Sequence, residues 1–91
     1  MSKKEKSWFV YIILCKDDLY YVGLTNDVSK RLDQHLSGLG SKFTAKHGIK
    51  KLIYVEEYDD FDCARYREKE IKDWSRIKKE KLINGQWGKI M

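Results

Sequence analysis

The chain of 91 residues has no proline and only two cysteines, Cys15 and Cys63. Two thiols are too few for a disulfide framework, so a reducing cytoplasm is the expected compartment. The longest apolar run, Trp8–Cys15, is far shorter than the ~20 residues that a membrane-spanning helix needs. We find no signal-peptide pattern either. The sequence therefore predicts a cytoplasmic protein that does not associate with membranes.

A zinc site of the Cys2His2 kind would have to draw on Cys15, His35, His47 and Cys63. The chain has no close pair such as C-x-x-C, which zinc sites commonly use. Half-buried thiols are therefore the simpler interpretation.

Hydrophobic residues make up 42% of the chain and aromatic residues 13%, enough for one compact core. We expect residues 1–91 to form a single small domain. The charged share is 36%, and 19 Lys and Arg against 14 Asp and Glu give a net charge of +5. Such a basic balance favours a polyanionic partner, nucleic acid first.

Two short apolar segments near the N terminus predict a β-hairpin. Trp8–Cys15 is rich in aromatic and β-branched residues, and residues 19–25 form a second strand after a turn at residues 16–18. A three-residue loop places Cys15 opposite Leu19.

The same register places Tyr11 opposite Gly23. Because side chains alternate along a strand, Tyr11, Tyr21 and Gly23 then share one face of the sheet. Gly23 has no side chain, so it leaves space beside the Tyr11 ring. A slip of one residue would move the two tyrosines to opposite faces.

A helix follows, with Asn26 or Asp27 as its N-cap. Val28, Leu32 and Leu36 recur at helical spacing and form the expected core-facing stripe. Arg31 and His35 are also four residues apart, so they are neighbours beside that stripe. Residues 37–47 are expected to be a loop.

The remaining elements are a third strand over residues 51–58 and a long helix over residues 63–82. Asp62 is the expected N-cap of this helix, and Asn84-Gly85 supplies its end. Trp87, in the tail, is expected to pack back onto the core. The order is thus strand, strand, helix, strand, helix.

Glu68 lies between Ala64 and Ile71 on the apolar stripe of the last helix. A carboxylate on the buried side is costly unless it is paired or holds a metal. Two interpretations stay open at this point: a salt bridge to a neighbouring arginine, or a metal-binding or catalytic role.

The other candidates also have plain structural interpretations. Arg31 and His35 would suit a solvated helix face, and tyrosines in strands usually just pack. The acidic residues around the third strand's end would bind a cation, or end the strand and cap the helix. Their members are Glu56, Glu57, Asp59, Asp60 and Asp62.

Taken in order, these segments resemble the GIY-YIG nuclease superfamily. V-Y-I at residues 10–12 and Y-V-G at residues 21–23 resemble its two signature tripeptides, with Val10 in place of the first glycine. The stretch that follows is similar to the family's small stand-alone branch, which is akin to endonucleases that cut branched DNA. A-R-Y-R-E at residues 64–68 resembles the family's metal-binding helix.

The resemblance implies an α+β fold with a three-stranded antiparallel sheet flanked by helices. It also implies a set of roles. Tyr11 would be the general base or would orient the attacking water, and Tyr21 would touch the scissile phosphate. Arg31 would stabilise the phosphate charge, His35 would assist in positioning or proton transfer, and Glu68 would hold one Mg²⁺ or Mn²⁺ ion.

These roles match the needs of phosphodiester cleavage: an activated water, charge neutralisation and help for the leaving oxygen. A tyrosine of ordinary pKa is a poor base at neutral pH, so Arg31 and the metal would have to favour its ionised form. The leading hypothesis is a metal-dependent DNA endonuclease, active in repair or recombination and helped by a protein partner. The alternatives are a nucleic-acid-binding module with weak or no catalysis, and a protein-interaction domain.

Overall fold

The computed structural model describes residues 7–85, so the expected packing of Trp87 falls outside the described residues. It has an α+β fold with three strands and four helices in these residues. In chain order the elements are β1 (Trp8–Cys15), β2 (Tyr20–Thr25), α1 (Val28–Leu36), α2 (Lys42–His47), β3 (Ile49–Tyr58), α3 (Phe61–Lys72) and α4 (Arg76–Ile83).

The three strands form an antiparallel sheet in the order β2-β1-β3, so β2 is an edge strand. The Cys15 amide donates to the Leu19 carbonyl at 2.8 Å and closes the hairpin turn. Tyr11 then pairs with Gly23, and Ile13 with Tyr21. The predicted hairpin register is therefore confirmed, because a loop of this length leaves the strands little choice.

The two faces of the sheet carry separate parts of the core. Helix α3 packs against β1 and β2 on one face, and α1 lies against the other. The buried apolar residues of the α3 face are Val10, Ile12, Val22, Ala64, Ile71 and Leu82. Those of the α1 face are Tyr11, Ile13, Cys15 and Ile49. Consecutive β1 residues thus supply both cores, which explains why the strand is apolar throughout.

Helix α1 is rotated relative to the sequence-based prediction. Asp27 is its N-cap, since its carboxylate accepts from the Lys30 amide at 3.0 Å. Leu36 was expected in the core but is 64% exposed, whereas His35 is only 2% exposed. The predicted stripe is wrong at its last position because hydrogen bonds hold His35, and not Leu36, against the sheet.

The predicted loop over residues 37–47 contains a helix, α2. Ser41 is its N-cap and accepts from the Thr44 amide at 3.0 Å. Gly48, with a φ of 73°, follows its last residue. β3 begins directly afterwards at Ile49, two residues before the predicted start.

The single helix predicted over residues 63–82 is two helices. Asp60, not Asp62, caps α3, because its carboxylate accepts from the Cys63 amide at 3.0 Å. The chain leaves helical geometry at residues 73–75, and Ser75 caps α4. Ile77 is consequently 67% exposed, although the continuous helix would have placed it beside the core.

Glu56 braces β3 against α3. Its carboxylate accepts from Arg67 Nε at 2.9 Å and Arg67 Nη2 at 3.0 Å, and from the hydroxyls of Tyr54 and Tyr58. Burial opposes ionisation, but these donors together hold the pKa of Glu56 below its usual value. This part of the acidic cluster is thus a structural ion pair.

No helix in residues 7–85 is long and apolar enough to cross a bilayer.

Candidate active site

The Tyr11 ring lies directly over Gly23 in the neighbouring strand. A β carbon built on Gly23 would lie 2.3 Å from the Tyr11 hydroxyl oxygen and 2.4 Å from Cζ. Any side chain at residue 23 would therefore occupy the space of the phenol. The absence of a side chain lets Tyr11 reach across β2, as the hairpin register predicts.

The Tyr11 hydroxyl is held between two side chains of α1. It contacts His35 Nε2 at 2.9 Å and accepts a long hydrogen bond from Arg31 Nε at 3.4 Å. Tyr11 and His35 are each 2% exposed. Arg31 and His35, which the sequence predicts beside the apolar stripe of α1, therefore face the sheet.

Burial sets the charge state of this group at rest. It raises the pKa of Tyr11, and the Arg31 hydrogen bond only partly offsets that effect. The expected ionisation of the phenol by Arg31 is therefore not the resting state. Burial and the nearby Arg31 charge both lower the pKa of His35, so its imidazole is neutral at pH 7.

Tyr21 completes an aromatic wall beside the Tyr11 hydroxyl. Its ring centroid lies 6.3 Å from that of Tyr11 and 5.2 Å from that of His35. Phe43 of α2 packs on its other side at 5.8 Å. Phe43 is a neighbour that sequence analysis missed, because it lies in the segment expected to be a loop.

Arg31 is half-buried, and its Nη1 donates to Gln34 Oε1 at 3.0 Å. The hydrogen bond to Tyr11 raises the pKa of Arg31 against the effect of burial, with a contribution from the Tyr21 hydroxyl. The guanidinium is a permanent positive charge between the two phenols. That is the arrangement a phosphate needs for charge neutralisation.

Thr44 holds the far side of His35. Its Oγ1 lies 2.7 Å from His35 Nδ1, and Thr44 is only 1% exposed. A β carbon on Gly40 would lie 2.4 Å from the same nitrogen. Sequence analysis identified neither residue. Ser41 as an N-cap and Gly48 as a helix end were the signals that could have predicted α2, the helix that carries Thr44.

Glu68 lies on α3, apart from Tyr11, Tyr21, Arg31 and His35. It is 7% exposed and pairs with Lys72 Nζ at 3.0 Å and Arg65 Nη1 at 3.9 Å. Within residues 7–85, no hydrogen bond joins it to Tyr11, but its negative charge contributes to the raised pKa of Tyr11. Glu68 therefore forms the ion pairs that the structural interpretation predicts, and its metal-binding or catalytic role stays a prediction.

The donor chemistry of Glu68 fits one hard divalent ion. Its carboxylate lines an open groove of about 250 Å³ with Arg65, Lys69, Lys72 and Asp73. Magnesium keeps several waters and often needs only one or two protein carboxylates. Residues 7–85 contain no group of three or more His, Cys, Asp or Glu side chains that could hold a metal.

Comparison with known proteins shows which family the chain belongs to. The GIY-YIG catalytic domain matches residues 7–81, which is most of the chain. The chain belongs to the GIY-YIG family. A GIY-YIG domain is a nuclease-type hydrolase in general and would act on DNA, and GIY-YIG nucleases generally use divalent metal ions.

Its relatives include small GIY-YIG proteins of similar length. A UPF0213 protein of Natronomonas pharaonis is 38% identical over 88% of this chain and 94% of its own. Another, of Staphylococcus saprophyticus, is 42% identical over 84% of this chain and 93% of its own. The solution NMR structure of a UPF0213 protein from Bacillus halodurans is 38% identical, covers 90% of this chain and 87% of that one, and has a TM-score of 0.58.

Proposed function

We propose that this GIY-YIG protein is a metal-dependent endonuclease that hydrolyses phosphodiester bonds in DNA. The observation that carries the proposal is the Tyr11 hydroxyl, held between a guanidinium and a neutral imidazole. A buried tyrosine hydroxyl needs one hydrogen-bond partner, but it does not need a permanent positive charge beside it. A phenol that must lose and regain a proton beside a phosphate does.

Tyr11 acts as the general base through His35. The phenol is neutral at rest, so it takes a proton from the attacking water while its own proton passes to His35 Nε2, 2.9 Å away. The water oxygen then bonds to phosphorus, and the bond to the leaving oxygen breaks. This transfer avoids a buried phenolate without a counter-proton, which burial disfavours.

Tyr21 and Arg31 receive the phosphate. Arg31 donates to the Tyr11 hydroxyl, and the Tyr21 ring lies 6.3 Å from that of Tyr11. The guanidinium neutralises the charge that develops on the phosphate oxygens. A donor of this kind contributes about 10²–10³ in rate in other enzymes. The net charge of +5 adds sequence-independent attraction to the DNA backbone.

Glu68 would hold the divalent ion, Mg²⁺ or Mn²⁺, which would supply positive charge to the leaving oxygen. Lys72 Nζ lies 3.0 Å from Glu68 Oε2. This carboxylate must be free of the lysine for the ion to bind. Lys72 is half-exposed at the helix surface, so its flexible side chain can turn into solvent when the ion binds.

The test is a nicking assay with Mg²⁺ or Mn²⁺ on branched and on linear DNA. Tyr11→Phe removes only the hydroxyl, and Glu68→Gln removes only the charge; each is expected to abolish nicking. Glu57→Gln, on the exposed surface of β3, is the matched control and should cleave normally. Nicking by the Glu68→Gln protein at the native rate would remove Glu68 from the mechanism.

A nucleic-acid-binding module without catalysis is the second candidate, and the Glu68–Lys72 ion pair is the observation that favours it. It predicts DNA binding with a steep salt dependence and no metal-dependent nicking. Faster nicking of branched than of linear DNA would support a role in repair or recombination. A need for a partner protein would appear as nicking only at low salt, where a small domain holds DNA by charge alone.

A further inference from the structure

A continuous chain of hydrogen bonds runs from Arg31 of α1 through Tyr11 and His35 into α2. Arg31 Nε donates to the Tyr11 hydroxyl at 3.4 Å, and that hydroxyl contacts His35 Nε2 at 2.9 Å. His35 Nδ1 contacts Thr44 Oγ1 at 2.7 Å, and Thr44 Oγ1 contacts Ser41 Oγ at 2.9 Å and the Ser41 carbonyl at 3.4 Å. Tyr11, His35 and Thr44 are each at most 2% exposed.

The chemistry of the two ends fixes the direction of the protons. A guanidinium cannot accept, so the proton of the neutral Tyr11 phenol goes to its remaining partner in the described residues, His35 Nε2. A neutral imidazole has one N–H, which must then be on Nδ1. That N–H donates to Thr44 Oγ1, and the Thr44 hydroxyl donates a hydrogen bond to Ser41.

The backbone before helix α2 also fixes the position of the imidazole ring. The Gly40 α carbon lies so close that a β carbon there would be 2.4 Å from His35 Nδ1 and 2.7 Å from Cγ. The backbone at Gly40 and the hydroxyl of Thr44 thus approach the same nitrogen. A ring enclosed in this way has one orientation and one tautomer available.

We propose that Thr44 is a positioning residue of the cleavage reaction, acting through His35. Its hydroxyl accepts from Nδ1–H and so, together with Tyr11, stabilises the tautomer whose Nε2 is free to accept the proton of Tyr11. In the other tautomer Nε2 carries a hydrogen, points it at the phenol oxygen and cannot take its proton. This role rests on the proposed nuclease function, but the tautomer on which it depends can be measured without DNA.

The first experiment is therefore ¹⁵N NMR of the imidazole side chains in the free protein. The chain has two histidines, so a His47→Gln background leaves His35 as the only imidazole. The native protein is expected to show the Nδ1–H tautomer. Thr44→Val, which keeps the shape but removes the hydroxyl, should populate the Nε2–H tautomer, and Thr44→Ser should restore the native spectrum.

The second experiment compares nicking rates of the same variants. Thr44→Val should nick about tenfold more slowly, the size expected for one buried neutral hydrogen bond, while Thr44→Ser should stay close to native. Thr25→Val, at the chain's other threonine, is the control for the substitution itself. A role in packing alone predicts the opposite order, because valine fills the buried volume and serine does not.

The outcomes separate this proposal from the proposed function. A native Nε2–H tautomer, or one that Thr44→Val leaves unchanged, overturns the positioning role whatever the DNA assay shows. An unchanged nicking rate in Thr44→Val overturns it as well. If the native protein shows the Nδ1–H tautomer yet does not nick DNA, the nuclease function fails and the positioning role fails with it, while the hydrogen-bond assignment stands.

Discussion

Alanine at residue 23 tests whether the Tyr11 ring really occupies the space that the glycine leaves. The new β carbon would meet three ring atoms of Tyr11, at 2.3 Å from the hydroxyl oxygen, 2.4 Å from Cζ and 2.9 Å from Cε1. Tyr11 is 2% exposed and lies in the central strand, so the ring cannot move aside without disturbing the core.

The size of the effect follows from two opposing terms. Overpacking of this kind costs about 1–3 kcal/mol. Without the clash, alanine would instead stabilise the strand by about 0.5–1 kcal/mol, because glycine loses more backbone entropy on folding. The melting temperature should fall by about 4–8 °C for each kcal/mol lost in a domain of this size.

A double-mutant cycle measured by thermal unfolding isolates the contact. Tyr11→Leu removes all three atoms that the new β carbon would meet, so Gly23→Ala should change sign and become stabilising in that background. The coupling free energy should be about 1–3 kcal/mol, because the backbone benefit is the same in both backgrounds and only the clash differs. Tyr11→Phe keeps Cζ and Cε1, so it should give only partial relief. A stabilising Gly23→Ala in the native background would refute the geometry from which the site is built.

Three further predictions concern charge. Because Arg67 and the two tyrosines hold the pKa of Glu56 below its usual 4.5, the native protein should lose stability as the pH falls below 4.5. Glu56→Gln should be less stable at pH 7, and its melting temperature should fall less steeply as the pH is lowered. Lys72→Met should strengthen Mn²⁺ binding in a titration of the free protein, because it removes the cation 3.0 Å from Glu68; weaker binding would contradict a metal role. Arg31→Lys should slow nicking by about 10²-fold while leaving the fold intact, because lysine cannot reproduce the guanidinium fork.

The hairpin was predictable because its determinants are local. The loop length and the alternation along β1 and β2 settle which residues pair, and Gly23 marks the position where a ring crosses. Tyr11, Tyr21 and Gly23 were therefore placed correctly from the sequence. The α+β class was predicted from the family resemblance, and the order of elements read from the sequence agrees with it.

The phase of α1 and the break before α4 were not predictable in the same way. Apolar spacing favours Leu36 in the core, but His35 takes the buried position because Tyr11 and Thr44, from other elements, satisfy its two nitrogens. Ser75 can cap a helix or lie inside one, and only the packing of α3 decides which. Both errors arise where tertiary contacts override local preference.

The central position of Tyr11 makes folding and catalysis hard to separate at this site. Its ring fills the core of the α1 face, and its hydroxyl is the group that the proposed mechanism uses. A large truncation of Tyr11 would lose activity through a cavity alone. Changes that keep the buried volume, Tyr11→Phe and Thr44→Val, therefore give the informative comparison, because each removes one hydroxyl and leaves the packing. If both lose nicking while their far-UV spectra and side-chain packing stay native, the loss belongs to the proton path and not to the fold.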